Sequence, residues 1–299
     1  MTRSMLHRLE DLCNVDVDDA DTELIKSIPF TPHNPDEALL KDLVRQYGSQ
    51  GWERVYDQAA VHLTARNIPH LSGRVLIQTS LRHVSSSAAT LAHARRLAAL
   101  YEEAGVPRDR FAIKIPFSGP AAAAAAVLNA EGIRTLATGV FSLEQGIAAS
   151  QSGCLFISPY YNEIAAHLDP SLRLTLEDPA LEHPMSPRVI HILEAFAKAY
   201  RETGKEQPIM PTKLNYGEFA TVQRLTKLST IDPFARPDWD GKLADMQTDY
   251  IANDGEKLDE ALNRDPVAGK RLKDAELFFI EMENKAKEAI EKEIAAQGL

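Results

Sequence analysis

Lys114 stands at the centre of Arg110–Phe117, RFAIKIPF, a short apolar run. Side chains alternate in an extended strand, so Phe111, Ile113 and Ile115 fall on one face and Ala112 and Lys114 on the other. A lysine in such a run is costly to desolvate, and burial favours its neutral amine, a nucleophile toward carbonyls. Taken alone, the stretch is read more simply as a strand-end lysine that reaches out to water. The residues at the ends of the other apolar runs change that reading.

Asn14–Asp18 (NVDVD) places Val15 and Val17 on one face and Asn14, Asp16 and Asp18 on the other. Asn34 precedes Pro35, Gln78 sits in VLIQT, Thr138 in TLATGVF, Ser158 in LFIS and Lys213 in PIMPTKL. Singly, each has a local explanation: a helix cap for Asp18, a turn for Asn34, a strand-end hydroxyl for Ser158. Together they surround a lysine with an acid, amides and hydroxyls. That set suits Schiff-base chemistry. The amine attacks a ketone, the protonated imine accepts electrons from an adjacent carbon–carbon bond, and a carboxylate or a held water moves the protons.

Such residues need a scaffold that brings strand ends together. Short apolar strands alternate with amphipathic helices through most of the chain. The pattern predicts strands at Asn14–Asp18, Val75–Thr79, Phe111–Ile115, Thr135–Phe141, Leu155–Ser158, Pro208–Leu214 and Leu228–Ile231, with a brief extended piece from Pro29 to Pro35. It predicts helices over Asp21–Ile28, Asp36–Tyr47, Gly51–Asn67, Ser85–Ala104, Pro120–Gly132, Ser142–Ser152, Ser186–Thr203 and Tyr216–Lys227, and a charged helix near Lys273–Ala296. Residues 159–187 form a long proline- and acid-rich connection, the kind of loop that usually carries function. About eight strand–helix units in one chain are the signature of a (β/α)8 barrel, here a single domain over residues 1–299 with additional C-terminal helices. A doubly wound sheet would show a glycine-rich turn after its first strand, and NVDVDDAD has no glycine. In a barrel the strand ends share one mouth, which would gather Asp18, Asn34, Gln78, Lys114, Thr138, Ser158 and Lys213.

Composition narrows the partners. The 299 residues carry a formal net charge of -10, with no basic cluster, which argues against nucleic acid and anionic membranes. No run approaches transmembrane length. The N-terminal residues lack the apolar core of a secretory signal, and two cysteines, Cys13 and Cys154, point to a reducing compartment; the expected location is the cytoplasm. Cys154 reads as a small buried residue rather than a nucleophile. The nine histidines lack metal-ligand spacing, and there is neither a GxSxG elbow nor a Walker loop.

These motifs, in this order, resemble those of the transaldolases. NVDVDDAD is similar to the first-strand motif of that family, whose aspartate shuttles protons, and Asp18 matches it. Asn34-Pro35 is similar to the second-strand motif, whose asparagine contacts substrate. FAIKIP is similar to the strand that carries the Schiff-base lysine, so the resemblance gives Lys114 that role. EGIRTLATGVFS aligns Thr138 with a threonine that helps hold the catalytic water, and LFISPY aligns Ser158 with a substrate-contacting serine. The resemblance implies a (β/α)8 barrel, no metal, no organic cofactor, a small ketose or aldehyde substrate and a homodimer.

The departures are as specific. Gln78 stands where the transaldolases have a glutamate, Leu136 where they have an asparagine and Tyr160 where they have phenylalanine. Glu163 stands where they have a phosphate-binding arginine; Asn215 lies near the place of a second one, with Lys213 two residues before it. Gln78 and Tyr160 together resemble the fructose-6-phosphate aldolase branch, in which Tyr160 would hold the catalytic water. The resemblance thus implies catalytic roles for Lys114, Asp18, Gln78, Thr138 and Tyr160, and substrate contacts for Asn34, Ser158, Lys213 and Asn215. It implies aldol bond making or breaking with altered acceptor or phosphate recognition. The alternatives are an ordinary transaldolase of the pentose phosphate pathway with a rearranged phosphate site, and a catalytically silent barrel that serves as a binding protein.

Overall fold

A computed structural model describes residues 37–167, 169–210 and 227–299. The expected first strand, the Asn34-Pro35 turn, and Lys213 and Asn215 lie outside the described residues, as do Cys13 and nearly all of the helix expected over Tyr216–Lys227.

Four strands, β1 (Val75–Gln78), β2 (Phe111–Pro116), β3 (Thr135–Val140) and β4 (Phe156–Pro159), form one parallel sheet in the order β1-β2-β3-β4. The helices are α1 (Glu37–Tyr47), α2 (Trp52–Ala65), α3 (Ser87–Glu103), α4 (Gly119–Ala130), α5 (Leu143–Gln151), the single turn α6 (Pro179–Glu182), α7 (Ser186–Thr203), α8 (Ala252–Arg264) and α9 (Ala268–Ala296). Parallel neighbours need a crossover between them, and α3, α4 and α5 supply it in turn. Each of these three starts on a serine cap. Ser86, Ser118 and Ser142 accept hydrogen bonds from the backbone N–H groups of Ala89, Ala121 and Gln145.

The alternation in β2 sets the layers. Phe111, Ile113 and Ile115 are fully buried on the helix side, where Phe111 stacks on Tyr101 at 4.6 Å between ring centroids. The alanine run of α4 lies against this layer, with Ala121, Ala122, Ala124 and Ala125 all buried. Small side chains let the start of α4 approach the start of α8, where the backbones of Gly119 and Gly255 touch and Gly119 N–H donates to Asp259 Oδ1 at 2.6 Å. Gly255 (φ +78) has no Cβ to strain there.

Three expectations change. Leu228–Ile231 is not a strand: Lys227 and Leu228 end a helix and Ser229-Thr230 form a turn, closed by Ile231 N–H on Leu228 O. Leu228 is buried against Ile190 while Ile231 is exposed, so the run is used as one contact and a turn rather than as alternating faces. Of Pro208–Leu214, the described part pairs only through Ile209, which bridges to Phe156 beside β4. The last helix begins at Ala268, five residues before the expected Lys273. Among the described residues, no helix is long and apolar enough to cross a membrane.

Candidate active site

Strand register assembles the site. Gln78 pairs with Lys114, Lys114 with Leu136 and Leu136 with Phe156; one step toward the carboxyl ends, Pro116 pairs with Thr138 and Thr138 with Ser158. Paired residues of parallel strands share a face. Gln78, Lys114, Leu136, Thr138 and Ser158 therefore share the face opposite the buried Ile77, Ile113, Ile115, Ala137 and Ile157. Lys114, Gln78, Ser158 and Tyr160 are half-buried, and Thr138 is buried. The Thr138 hydroxyl donates to the Tyr160 hydroxyl at 3.4 Å, and Tyr160 is held by its own N–H on Val140 O at 2.9 Å and by the edge of Phe141.

Polar anchors beneath the strand ends fix this geometry. Buried Gln145 donates to Phe117 O at 2.7 Å and Gly139 O at 2.9 Å and accepts from Phe141 N–H at 2.8 Å. One amide thus ties the segment after β2 to the one after β3, and all its partners are backbone. Beyond β1, Ser80 N–H donates to His93 Nδ1 at 3.1 Å, which leaves the Nε2 proton to face Asp57 Oδ1 at 3.0 Å; Arg96 holds the other Asp57 oxygen at 2.6 Å. Burial raises the Asp57 carboxyl, but its bonds to His93 and Arg96 outweigh that and hold it below the usual carboxylate range.

A small cavity with room for about one water lies over the strand ends, with Gln78, Pro116, Thr138 and Tyr160 on one side. Leu272, Ala275 and Phe279 of α9 form the other. The helix is fastened at two points. Arg271 meets Glu163 in the loop after β4 at 3.3 Å, and Glu283 accepts from Ser80 Oγ at 2.9 Å and Arg82 Nε at 2.7 Å. Arg271 also lies over the rings of Phe234, at 4.9 Å, and Phe141, at 6.0 Å. Within the long loop, Tyr161 stacks on His183, whose Nδ1 accepts from Met185 N–H at 3.1 Å. Burial, reinforced by the Arg271 charge, lowers His183 to about 4.

Of the residues singled out in the sequence, the structure brings Lys114, Gln78, Thr138, Ser158 and Tyr160 together. Asp18, Asn34, Lys213 and Asn215 lie outside the described residues. Cys154 is buried beside Thr135, and burial pushes its thiol up to about 12, so it is no nucleophile. Among the described residues, no three His, Cys, Asp or Glu side chains are grouped to hold a metal. The sequence reading missed the contribution of α9. Its only signal was the spacing of Leu272, Ala275 and Phe279, which falls on one helical face.

A parallel α/β sheet that presents a lysine, an amide and two hydroxyls at its carboxyl edge defines a class of lysine-centred α/β proteins. Residues 29–275 match the transaldolase/fructose-6-phosphate aldolase family, and the chain belongs to it. The family is one of enzymes built on the (β/α)8 barrel, and β1 to β4 are consecutive staves of such a barrel. A transaldolase of Marinomonas sp. (strain MWYL1) is 33% identical over 178 residues, 59% of this chain and 54% of that one. A transaldolase of Alteromonas mediterranea is 27% identical over 251 residues, 80% of this chain and 77% of that one. The chain thus spans about half the length of the first relative.

Proposed function

We propose that this chain makes or breaks an aldol carbon–carbon bond through a Schiff base on Lys114. The observation that carries the reading is the register that sets Lys114 beside Gln78, two residues before the level of Thr138, whose hydroxyl meets that of Tyr160; Gln78, Thr138 and Tyr160 border the cavity. The Lys114 amine adds to a ketone carbonyl, and loss of water gives the protonated imine. The neighbouring carbon–carbon bond breaks, its electrons pass into the imine to form an enamine, and an aldehyde leaves as its hydroxyl loses a proton. The enamine then takes either a proton, which releases the ketone after hydrolysis, or a second aldehyde, which completes a transfer. Tyr160 and Thr138 hold the water for these proton transfers, Gln78 orients it without adding charge, and Asp18 is the proton shuttle. Ser158 and Asn34 contact the hydroxyls of a dihydroxyacetone-type unit, and Lys213 and Asn215 are further substrate contacts. The reading needs no metal or organic cofactor, and it takes the active protein to be a cytoplasmic homodimer of single-domain chains.

Transfer between sugar phosphates, as in the pentose phosphate pathway, is the second reading. It is favoured by the two relatives that are transaldolases. One experiment separates the two from a silent barrel. Protein incubated with dihydroxyacetone or fructose 6-phosphate is reduced with borohydride and mapped by mass spectrometry. An adduct on Lys114 is expected; active protein without it excludes the Schiff base. Turnover of fructose 6-phosphate with erythrose 4-phosphate then distinguishes transfer from simple cleavage.

A further inference from the structure

We propose that Asp57 and His93 are positioning residues for the Gln78–Lys114 pair: Asp57 fixes the tautomer of His93, and the bare His93 Nδ1 holds the chain just beyond Gln78. The inference rests on the Lys114 reading and extends it to residues away from the substrate. Thr79 N–H donates to Lys114 O at 3.0 Å, which carries the β1–β2 ladder one step past Gln78. Ser80 N–H donates not to a strand but to His93 Nδ1 of α3, at 3.1 Å. Gln78 therefore leads into a segment gripped first by the backbone of Lys114 and then by an imidazole.

The imidazole can accept that bond in one state only. Its Nε2 faces Asp57 Oδ1 at 3.0 Å, and Arg96 Nε donates to Asp57 Oδ2 at 2.6 Å. The partner of one ring nitrogen decides where the proton sits, so the Asp57 carboxylate keeps it on Nε2 and leaves Nδ1 bare. A proton on Nδ1 would set two donors against each other at Ser80. Asp57 and His93 are both buried, and a buried charged pair brings little net stability over well-packed apolar side chains. Both Asp57 oxygens and both His93 nitrogens are engaged, and the bond that leaves the group ends on Ser80, two residues past Gln78. His83 packs edge-on against His93 at 5.2 Å between ring centroids, and Glu283 accepts from Ser80 Oγ at 2.9 Å, so the ring and the segment are each held from a second side. Asp57, His93 and Arg96 do not border the cavity over Thr138 and Tyr160, so the group acts through Gln78 and Lys114 rather than on substrate.

The test uses the full chain and reads kcat for ketose cleavage per folded chain, with folded fraction and stability taken from urea curves of the same preparations. His93→Asn keeps an acceptor at the place of Nδ1 and gives up Asp57, whereas His93→Gln reaches Asp57 and leaves Ser80 N–H without its acceptor. In His93→Gln, kcat should fall by about 10–100-fold with KM little changed, the cost of a small misplacement of reacting groups. His93→Asn should recover most of that loss although it gives up the bond to the buried carboxylate. Asp57→Asn turns an amide N–H toward Nε2, so nitrogen NMR of labelled histidine should show the proton moved to Nδ1, with kcat lowered as in His93→Gln. Equal kcat in the two His93 variants, or activity that follows stability through the series, overturns the proposal. So does a proton that stays on Nε2 in Asp57→Asn, or one that moves while kcat keeps its parental value. Either comparison decides alone where a variant of the other fails to fold. The borohydride adduct is read on the parent in parallel. An adduct on Lys114 with unmoved variants overturns the role of Asp57 and His93 alone, whereas no adduct in active parent protein overturns the Lys114 reading and this inference with it.

Discussion

Glu163 and Arg271 form an ion pair, Oε1 to Nη2 at 3.3 Å, that joins the loop after β4 to the last helix. Arg271 is buried and Glu163 is half exposed. Among the described residues, the Nε and Nη1 groups of Arg271 have no hydrogen-bond partner. The guanidinium is therefore under-used, and the carboxylate beside it would oppose an anion brought to this loop. Glu163→Gln should raise kcat/KM for glyceraldehyde 3-phosphate relative to glyceraldehyde by about 10-fold, the lower end of what a charge-assisted bond is worth. The thermal midpoint should fall, because the buried Arg271 loses its charged partner and keeps only a neutral acceptor. An unchanged acceptor ratio would show that the pair acts only as a fastening.

Tyr160→Phe removes the hydroxyl that accepts from Thr138 at 3.4 Å and leaves the ring on Phe141. If that hydroxyl holds the water of the proton steps, cleavage of a ketose should fall by about 100-fold. The trapped Lys114 adduct should rise, since its formation is less affected than its release. Loss of turnover with loss of the adduct would instead place Tyr160 in imine formation. Quenched-flow mass spectrometry reads both quantities in one experiment.

His183 gives the fold a pH dependence. It is neutral in the folded protein, because burial and the Arg271 charge lower it from the usual 6.5 to about 4. The unfolded chain binds that proton near pH 6.5, so stability is full above that pH and is lost as the pH falls toward about 4. The loss attributable to this group is at most about 3 kcal/mol. His183→Asn keeps an acceptor for Met185 N–H and cannot titrate. Its denaturation midpoint should therefore fall less than that of the parent between pH 6.5 and pH 4, by urea titration at each pH. Parallel curves would assign the acid sensitivity to other groups.

Much of this arrangement was legible because local signals agreed. The helix at Ser186–Thr203 begins at a serine followed by Pro187 and ends before Gly204 in the left-handed region, and its expected bounds are the observed ones. β2 was legible because three large apolar residues alternate with small or polar ones and Ser118 starts the next helix. Leu228–Ile231 misled because four residues carry too little pattern to separate a strand from a helix end and a turn. The wall of the cavity was hidden for a different reason. The stripe of Leu272, Ala275 and Phe279 shows that α9 packs on something, but only the tertiary fold places it over Thr138 and Tyr160, more than a hundred residues earlier. Lys114 lay between these cases: the run around it gave the strand, and its meaning came from the register that sets Gln78 beside it.

Gln78 tests that register directly. Its backbone pairs with Lys114, and its side chain borders the cavity with Thr138 and Tyr160. The neutral amide can donate and accept at once, so it can orient a water without changing the charge next to the amine. Gln78→Glu would set a carboxylate one strand away from Lys114, favour the ammonium form and withdraw the nucleophile. Imine formation at pH 7 should then slow by about 10-fold, and the rate should recover as the pH rises, because the change acts through protonation. Gln78→Leu keeps the volume and removes the polar contacts. It should slow cleavage without moving the pH profile of adduct formation. The two variants separate charge from orientation, and a Gln78→Glu protein with the parent profile would mean that the Gln78 side chain and the Lys114 amine do not share one site.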